Sequence, residues 1–168
     1  KMDDSMPKNS ESQLLSLIDK YGIVTFQCFT HEQVKEINKE IKKTFSKKEN
    51  PLEGAKYATK KGNFSLVPCL PLMELVHPWL YQCQQANKDV FGYDIDWHFH
   101  LDRLNYNVYG TTDEYDWHVD ADSRITQDMK LTCLLNLSEE SYEGGEFYVI
   151  NYKEKIKFDS GMGLVLTS

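Results

Sequence analysis

The sequence predicts an α+β protein in which helices come first and short strands follow. Up to about residue 92, apolar residues recur at spacings of three and four, which is typical of amphipathic helices. From residue 93 onward, turn residues separate short apolar stretches, as in a β-sandwich or barrel. The chain has 168 residues, the length of one domain. We therefore predict a single domain over residues 1–168, with residues 1–92 as mainly helical support and residues 93–168 as the barrel strands.

The first elements are marked by helix-capping residues. Ser10 and Gln13 form a capping-box pattern at the start of a helix that Gly22 would end. The apolar segment Ile23–Phe29 is rich in β-branched and aromatic residues, which predicts a buried strand. A second capping box, at Thr30 and Gln33, begins another helix. Its apolar positions follow helical spacing: Val34, Ile37, Ile41 and Phe45.

The middle of the chain predicts a long loop followed by a helix. The stretch Asn50–Pro71 contains Gly and Pro without any periodicity, and we expect it to be a mobile flap near the barrel mouth. A helical region follows over Leu72–Phe91, interrupted or restarted at Pro78. Gly92 would end that region.

The second half of the chain predicts strands. Apolar and polar residues alternate from Ile95 to Leu101, and the apolar phase then shifts to Leu104–Val108, which predicts a bulge near Asp102–Arg103. Four later stretches are also predicted strands: Leu131–Leu137, Phe147–Tyr152, Ile156–Phe158 and Leu164–Leu166.

The composition is that of a folded protein outside the membrane. Hydrophobic residues make up 40% of the chain and charged residues 27%, which argues against a disordered chain and against a membrane bundle. The four cysteines are widely spaced, without the pattern of a small disulfide framework: Cys28, Cys69, Cys83 and Cys133. We expect free thiols in a reducing compartment, and hence a cytoplasmic protein without a membrane partner.

Acidic residues are concentrated in the second half of the chain. The net charge is −7, and residues 63–168 contain 7 Lys and Arg against 17 Asp and Glu. Nucleic-acid binding depends on clustered Lys and Arg and is therefore disfavoured. Nine carboxylates lie between Asp94 and Asp128, and a bound cation would relieve their mutual repulsion. The sequence does not indicate an oligomeric state.

Two pairs of residues have the spacing of metal ligands on a strand. In His118-Val119-Asp120, an extended backbone places the imidazole and the carboxylate on the same side, as two of the three ligands of a facial triad for Fe(II). His98 and His100 also share one face and leave a cupin-type metal site as an alternative. A cupin-type site needs a nearby glutamate, and residues 101–105 contain none.

The residues around His118 extend this motif. Tyr109 and Tyr115 precede the histidine by nine and three residues. The strand Leu131–Leu137 and the sequence Gly144-Gly145-Glu146-Phe147 follow it. Together, over roughly residues 97–168, this arrangement resembles the prolyl 4-hydroxylase-like branch of the Fe(II)/2-oxoglutarate-dependent dioxygenases.

The resemblance implies a fold, cofactors and roles for individual residues. The fold would be a double-stranded β-helix, or jelly roll, with supporting N-terminal helices. His118 and Asp120 would be the catalytic ligands of Fe(II), with 2-oxoglutarate as cosubstrate and ascorbate as a further candidate cofactor. Tyr109 matches the family tyrosine that faces the cosubstrate, and Tyr115 is a second candidate cosubstrate-binding residue. Leu135 occupies a third cosubstrate-binding position, at which some relatives carry a tyrosine.

The implied function is hydroxylation of an unactivated C–H bond. The substrate would be a prolyl or other side chain of a peptide or protein, or a small molecule. The alternative is a non-catalytic jelly-roll module that binds a ligand or a metal without a complete facial triad.

The sequence also departs from the family pattern. The family has a second histidine ligand on a later strand, followed by a basic residue that pairs with 2-oxoglutarate. Residues 161–168 resemble the strand just before that histidine. We therefore expect the native polypeptide to continue beyond Ser168 with a histidine and then an arginine or lysine, since these would complete the ligand set and the sheet.

Overall fold

The computed structural model describes residues 22–45, 60–95, 102–121, 128–150, 152 and 154–168. These residues form two α-helices and seven strands, in the order β1 (Ile23–Gln27), α1 (His31–Phe45), β2 (Lys60–Lys61), β3 (Asn63–Pro68), α2 (Met73–Ala86), β4 (Arg103–Val108), β5 (Glu114–Tyr115), β6 (Leu131–Leu135) and β7 (Met162–Thr167). The predicted helix that begins at Ser10 and most of the predicted strand Ile95–Leu101 lie outside the described residues.

The described strands form three antiparallel sheets. The central sheet has the order β1-β7-β6, so that β7 pairs on both sides. Two smaller sheets consist of the pairs β2-β5 and β3-β4. Antiparallel sheets with a few helices confirm the predicted α+β class, and they are consistent with a jelly-roll-like arrangement. The finer prediction of a double-stranded β-helix stays a prediction.

The central sheet separates two apolar clusters. Because side chains alternate along a strand, neighbouring residues contribute to opposite faces. Val24 and Val165 belong to the main core, which the two helices cover. Ile23 and Leu164 belong to a smaller cluster around Ile156 on the other face. The smaller cluster therefore marks the face of the sheet that points away from the helices.

Helix α1 begins at the capping box that the sequence predicts. The backbone N–H of Thr30 donates to Gln33 Oε1 over 2.9 Å, and the backbone N–H of Gln33 donates to Thr30 Oγ1 over 3.4 Å. The apolar face of the helix, with Val34, Ile37 and Ile41, is buried in the main core. Local capping and amphipathic spacing thus specify both the start of α1 and its orientation.

Replacing Thr30 with alanine is expected to lower the free energy of unfolding by about 1 kcal/mol, because a helix N–H loses its side-chain acceptor. Chemical denaturation monitored by circular dichroism measures this change. Thr30→Ser is the matched control, since it keeps the hydroxyl and should lose only a small part of that stability. Equal losses in both variants would show that the methyl group, and not the cap, is what matters.

Pro78 does not interrupt the second helix, contrary to the prediction. A 3₁₀ turn (Leu70–Leu72) leads into α2, which runs without a break and continues as a π-helical turn (Asn87–Phe91). Pro78 lies inside α2, where its ring nitrogen cannot donate to the carbonyl four residues earlier. The apolar face of α2 is nevertheless buried on both sides of Pro78, at Val76 and at Trp79 and Leu80. The helical region ends at Gly92, as predicted, with a left-handed φ of 69°.

The predicted flap over Asn50–Pro71 is wrong for its second half. Residues 63–68 form β3, which pairs with β4 along its whole length, and Val67 is buried in the main core. Cys69 is also buried, and its backbone N–H donates to Asp102 O over 3.0 Å. Gly62 directly precedes this strand and Pro68 is its last residue, so neither interrupts the pairing between them. Residues 50–59 lie outside the described part of the chain.

Other predicted strands are shorter or reduced in the structure. Strand β1 ends two residues earlier than predicted, at Gln27, and β6 ends at Leu135. The predicted strands Phe147–Tyr152 and Ile156–Phe158 are reduced to one antiparallel bridge between Phe147 and Ile156. Both segments pack around Ile156, where the Phe147 and Phe158 rings meet edge to face with their centroids 6.2 Å apart.

Helix α2 is hydrogen-bonded directly to the central sheet. The Trp79 indole Nε1–H donates to the backbone oxygen of Leu134 on β6 over 3.1 Å.

All four cysteines are free thiols, as predicted. No helix in the described ranges combines the length and the apolar character needed to cross a membrane.

Candidate metal centre

His118 and Asp120 converge as the sequence predicts, although neither residue belongs to a regular strand. The structure assigns no regular secondary structure to His118, and Asp120 begins a turn, so the pair follows β5 and does not lie on a regular strand. Even so, His118 Nε2 lies 3.2 Å from Asp120 Oδ1. The convergence that the sequence predicts for a strand is therefore present in a segment outside the regular strands.

Two contacts fix the orientation of the His118 imidazole. Its Nδ1 lies 2.7 Å from the backbone oxygen of Asp116, an arrangement in which Nδ1–H is the donor. The Tyr115 ring stacks on the imidazole, with ring centroids 3.8 Å apart and planes inclined by 8°. When the imidazole is neutral, this leaves the Nε2 lone pair directed at Asp120. That tautomer is the one that binds a metal through Nε2.

A side chain of the central sheet forms a hydrogen bond with the Asp120 carboxylate, on the oxygen that does not face His118. The hydroxyl of Thr132 on β6 donates to Asp120 Oδ2 over 2.5 Å, and Thr132 Oγ1 lies 2.9 Å from Ser168 Oγ. By alternation, Thr132 shares a face with Leu134, which packs in the smaller cluster on the face away from the helices. Sequence reasoning missed Thr132, although a polar residue between the apolar neighbours of β6 was a visible signal.

The two donor atoms fit a divalent metal ion. Ligand atoms at ~2.1 Å from a metal and at right angles to each other lie roughly 3 Å apart, close to the observed 3.2 Å. A neutral imidazole and a carboxylate suit Fe(II), and both side chains keep about 30% of their surface exposed, which leaves access. Within the described ranges, no group of three or more His, Cys, Asp or Glu residues could hold a metal. The predicted alternative ligands, His98 and His100, lie outside those ranges.

Tyr109 directly follows β4 and lies near Tyr115. Partial burial raises the pKa of its phenol to about 12, although 45% of the residue surface stays exposed, and the nearby Tyr115 and Asp113 add to the shift because their anionic forms repel a tyrosinate. Its ring lies over Gly62, where a Cβ would come within 3.1 Å of Tyr109 Cδ1. Tyr109 therefore stays protonated at neutral pH and can donate a hydrogen bond to a carboxylate.

Ionisation of Tyr109 is expected near pH 12, whereas an ordinary tyrosine ionises near pH 10. Because the folded state holds this proton more tightly than the unfolded state, the stabilising effect is complete below about pH 10 and is lost as the pH rises toward 12. Tyrosinate absorbance during an alkaline titration, compared with that of Tyr109→Phe, isolates this group. A difference spectrum that titrates near pH 10 would contradict the assignment.

Leu135 lies apart from this cluster. Its side chain packs against the main core on the helix-covered face of β6, whereas Thr132 lies on the opposite face. The structure thus brings together His118, Asp120 and Tyr115, with Tyr109 near Tyr115, and does not bring Leu135 to them. Its role in cosubstrate binding stays a prediction.

Comparison with known proteins identifies the fold. Among solved structures, the chain is similar to a prolyl-4-hydroxylase from Pseudomonas putida, with a TM-score of 0.65. The similarity covers 94% of this chain and 85% of that chain. The fold is prolyl-4-hydroxylase-like. The two sequences are 14% identical, so the likeness concerns the prolyl-4-hydroxylase-like fold and leaves the chemistry to the residues of the site.

The other two comparisons find no relatives. No known protein-family model matches this sequence. The search of curated proteins also finds no match.

Proposed function

We propose that this protein is an Fe(II)- and 2-oxoglutarate-dependent oxygenase that hydroxylates an unactivated C–H bond. The observation that carries the proposal is the convergence of His118 Nε2 and Asp120 Oδ1 at 3.2 Å, with a separate hydrogen bond supporting each side chain. The prolyl-4-hydroxylase-like fold supports it, because hydroxylation of prolyl residues is the activity named for its structural neighbour. A prolyl or other side chain of a peptide or protein is the substrate class that we favour.

Each residue of the site has its own proposed role. His118 and Asp120 hold the iron, which supplies the activation of dioxygen when it is bound. The protonated phenol of Tyr109 donates to a carboxylate of 2-oxoglutarate. Tyr115 keeps the imidazole in place by stacking on it. Ascorbate would serve to keep the iron reduced.

The third protein ligand is proposed to come from outside the described residues. A facial triad needs two histidines and one carboxylate, and the described site supplies one of each. His98 and His100 are the candidates within the sequence itself.

Release of succinate from 2-oxoglutarate by the native polypeptide tests the proposal. With Fe(II), ascorbate and a proline-containing peptide present, succinate should form, and it should disappear when iron is omitted or when His118 is replaced with alanine. Binding of Mn(II) without succinate under any of these conditions would instead support a non-catalytic metal-binding module. The absence of both metal binding and succinate would contradict the proposal.

A further inference from the structure

Two hydroxyl groups form a hydrogen-bonded chain that ends on Asp120. The Thr132 hydroxyl donates to Asp120 Oδ2 over 2.5 Å, and the same oxygen lies 2.9 Å from Ser168 Oγ. A threonine hydroxyl carries one proton, and that proton goes to Asp120. Ser168 must therefore be the donor to Thr132. The three side chains form a directed chain that ends on one oxygen of the carboxylate.

This hydroxyl chain is anchored in the central sheet. Thr132 lies on β6, and Ser168 directly follows β7. The backbone N–H of Ser168 donates to Lys130 O over 3.1 Å, so the two strands remain paired up to the site. Asp120, by contrast, lies in a turn outside the regular strands. Thr132, which is held in the sheet, thus orients the side chain of Asp120, which lies in a turn.

We propose that Thr132 is a positioning residue of the metal centre, and that Ser168 acts through it. By engaging Oδ2, the Thr132 hydroxyl turns Oδ1 toward His118 Nε2, so that Asp120 offers the metal a single oxygen. Without that hydroxyl, the carboxylate can rotate about its Cβ–Cγ bond, and the two donors no longer converge. The proposal rests on the proposed function, because it requires His118 and Asp120 to share a metal ion.

Mn(II) affinity provides a direct test that does not depend on turnover. Free Mn(II) is measured by electron paramagnetic resonance during titration of the native protein and of its variants. Thr132→Val has nearly the same shape without the hydroxyl and should raise the dissociation constant about 10–100-fold, the usual effect of losing an outer partner of a ligand. Thr132→Ser restores the hydroxyl and should bind Mn(II) nearly as well as the native protein.

Thr167→Val serves as the matched control. Thr167 lies on β7 and is exposed, so the same chemical change there should leave Mn(II) affinity unaltered. Circular dichroism of the metal-free proteins verifies that each variant is folded. Unchanged affinity in Thr132→Val, or an equal loss in Thr132→Ser, would overturn the proposal while leaving the proposed function intact. If the native protein bound no Mn(II), both would be overturned together.

Ser168→Ala tests the outer part of the hydroxyl chain. It should weaken Mn(II) binding by less than Thr132→Val does, and it should have no further effect in a protein that already carries Thr132→Val. An additional loss in the double variant would show that Ser168 acts independently of Thr132. If Thr132→Val failed to fold, Ser168→Ala would carry the test alone, and unchanged affinity would then overturn the proposal.

Discussion

Replacing Asp120 with asparagine is expected to raise the dissociation constant for Mn(II) by more than about 100-fold, beyond the range typical of outer partners of a ligand. The amide keeps the shape of the side chain but removes the negative charge that attracts a divalent cation. It also allows a nitrogen to take the place of Oδ1 opposite His118 Nε2. Electron paramagnetic resonance of free Mn(II) measures the change.

Asp116→Asn is the matched control, two residues before His118 in the sequence. The Asp116 carboxylate accepts a hydrogen bond from the backbone N–H of Trp117 over 2.8 Å, and an amide oxygen can do the same. Its backbone oxygen, which holds His118, is unchanged by the substitution. Mn(II) affinity should therefore be nearly that of the native protein. Similar losses in the Asp116 and Asp120 variants would mean that general negative charge, and not ligation, attracts the metal.

Replacing Gly161 with alanine is expected to lower the free energy of unfolding by about 3 kcal/mol or more. Gly161 has a left-handed φ of 76°, and an added Cβ would overlap the backbone oxygen of Phe29. The residue also joins separate parts of the chain. Its N–H donates to Asn136 O over 2.8 Å, and its oxygen accepts from the N–H groups of Cys28 and Phe29, each over 3.0 Å. Relief of the overlap would strain or break these bonds.

Gly92→Ala separates backbone strain from this overlap. Gly92 has a similar φ of 69°, but no atom lies within 4 Å of a Cβ built there. It should therefore cost only the left-handed conformational penalty, about 1 kcal/mol. Urea denaturation compares the two variants. Equal destabilisation would mean that the surroundings of Gly161 yield to the added methyl group.

Features set by nearby residues could be predicted from the sequence. The capping box of Thr30 and Gln33 and the left-handed end at Gly92 involve contacts within a few residues, so sequence reasoning placed both correctly. Strand pairing depends on distant residues. Strand β3 was missed because its partner, β4, lies far along the chain, while Gly62 beside it indicated a loop.

The same distinction holds at the candidate metal centre. The spacing of His118 and Asp120 predicted their convergence, although the sequence placed both residues on a strand and the structure has Asp120 in a turn. The contact of Thr132 with Asp120 could not be inferred, because it depends on how β6 lies against that turn. Likewise, the motif alone did not show which face of β6 carries Leu135.

The pairing of β1 with β7 has a consequence for synthesis on the ribosome. Gln27 and Ser160 are joined by a hydrogen bond across 133 residues of sequence. At ~5–20 residues per second, β1 leaves the ribosome on the order of ten seconds before β7 is made. During that time Ile23 and Val24, which are buried in the finished protein, have no strand to cover them. Folding yield in the cell therefore depends on how well this early segment is shielded during translation.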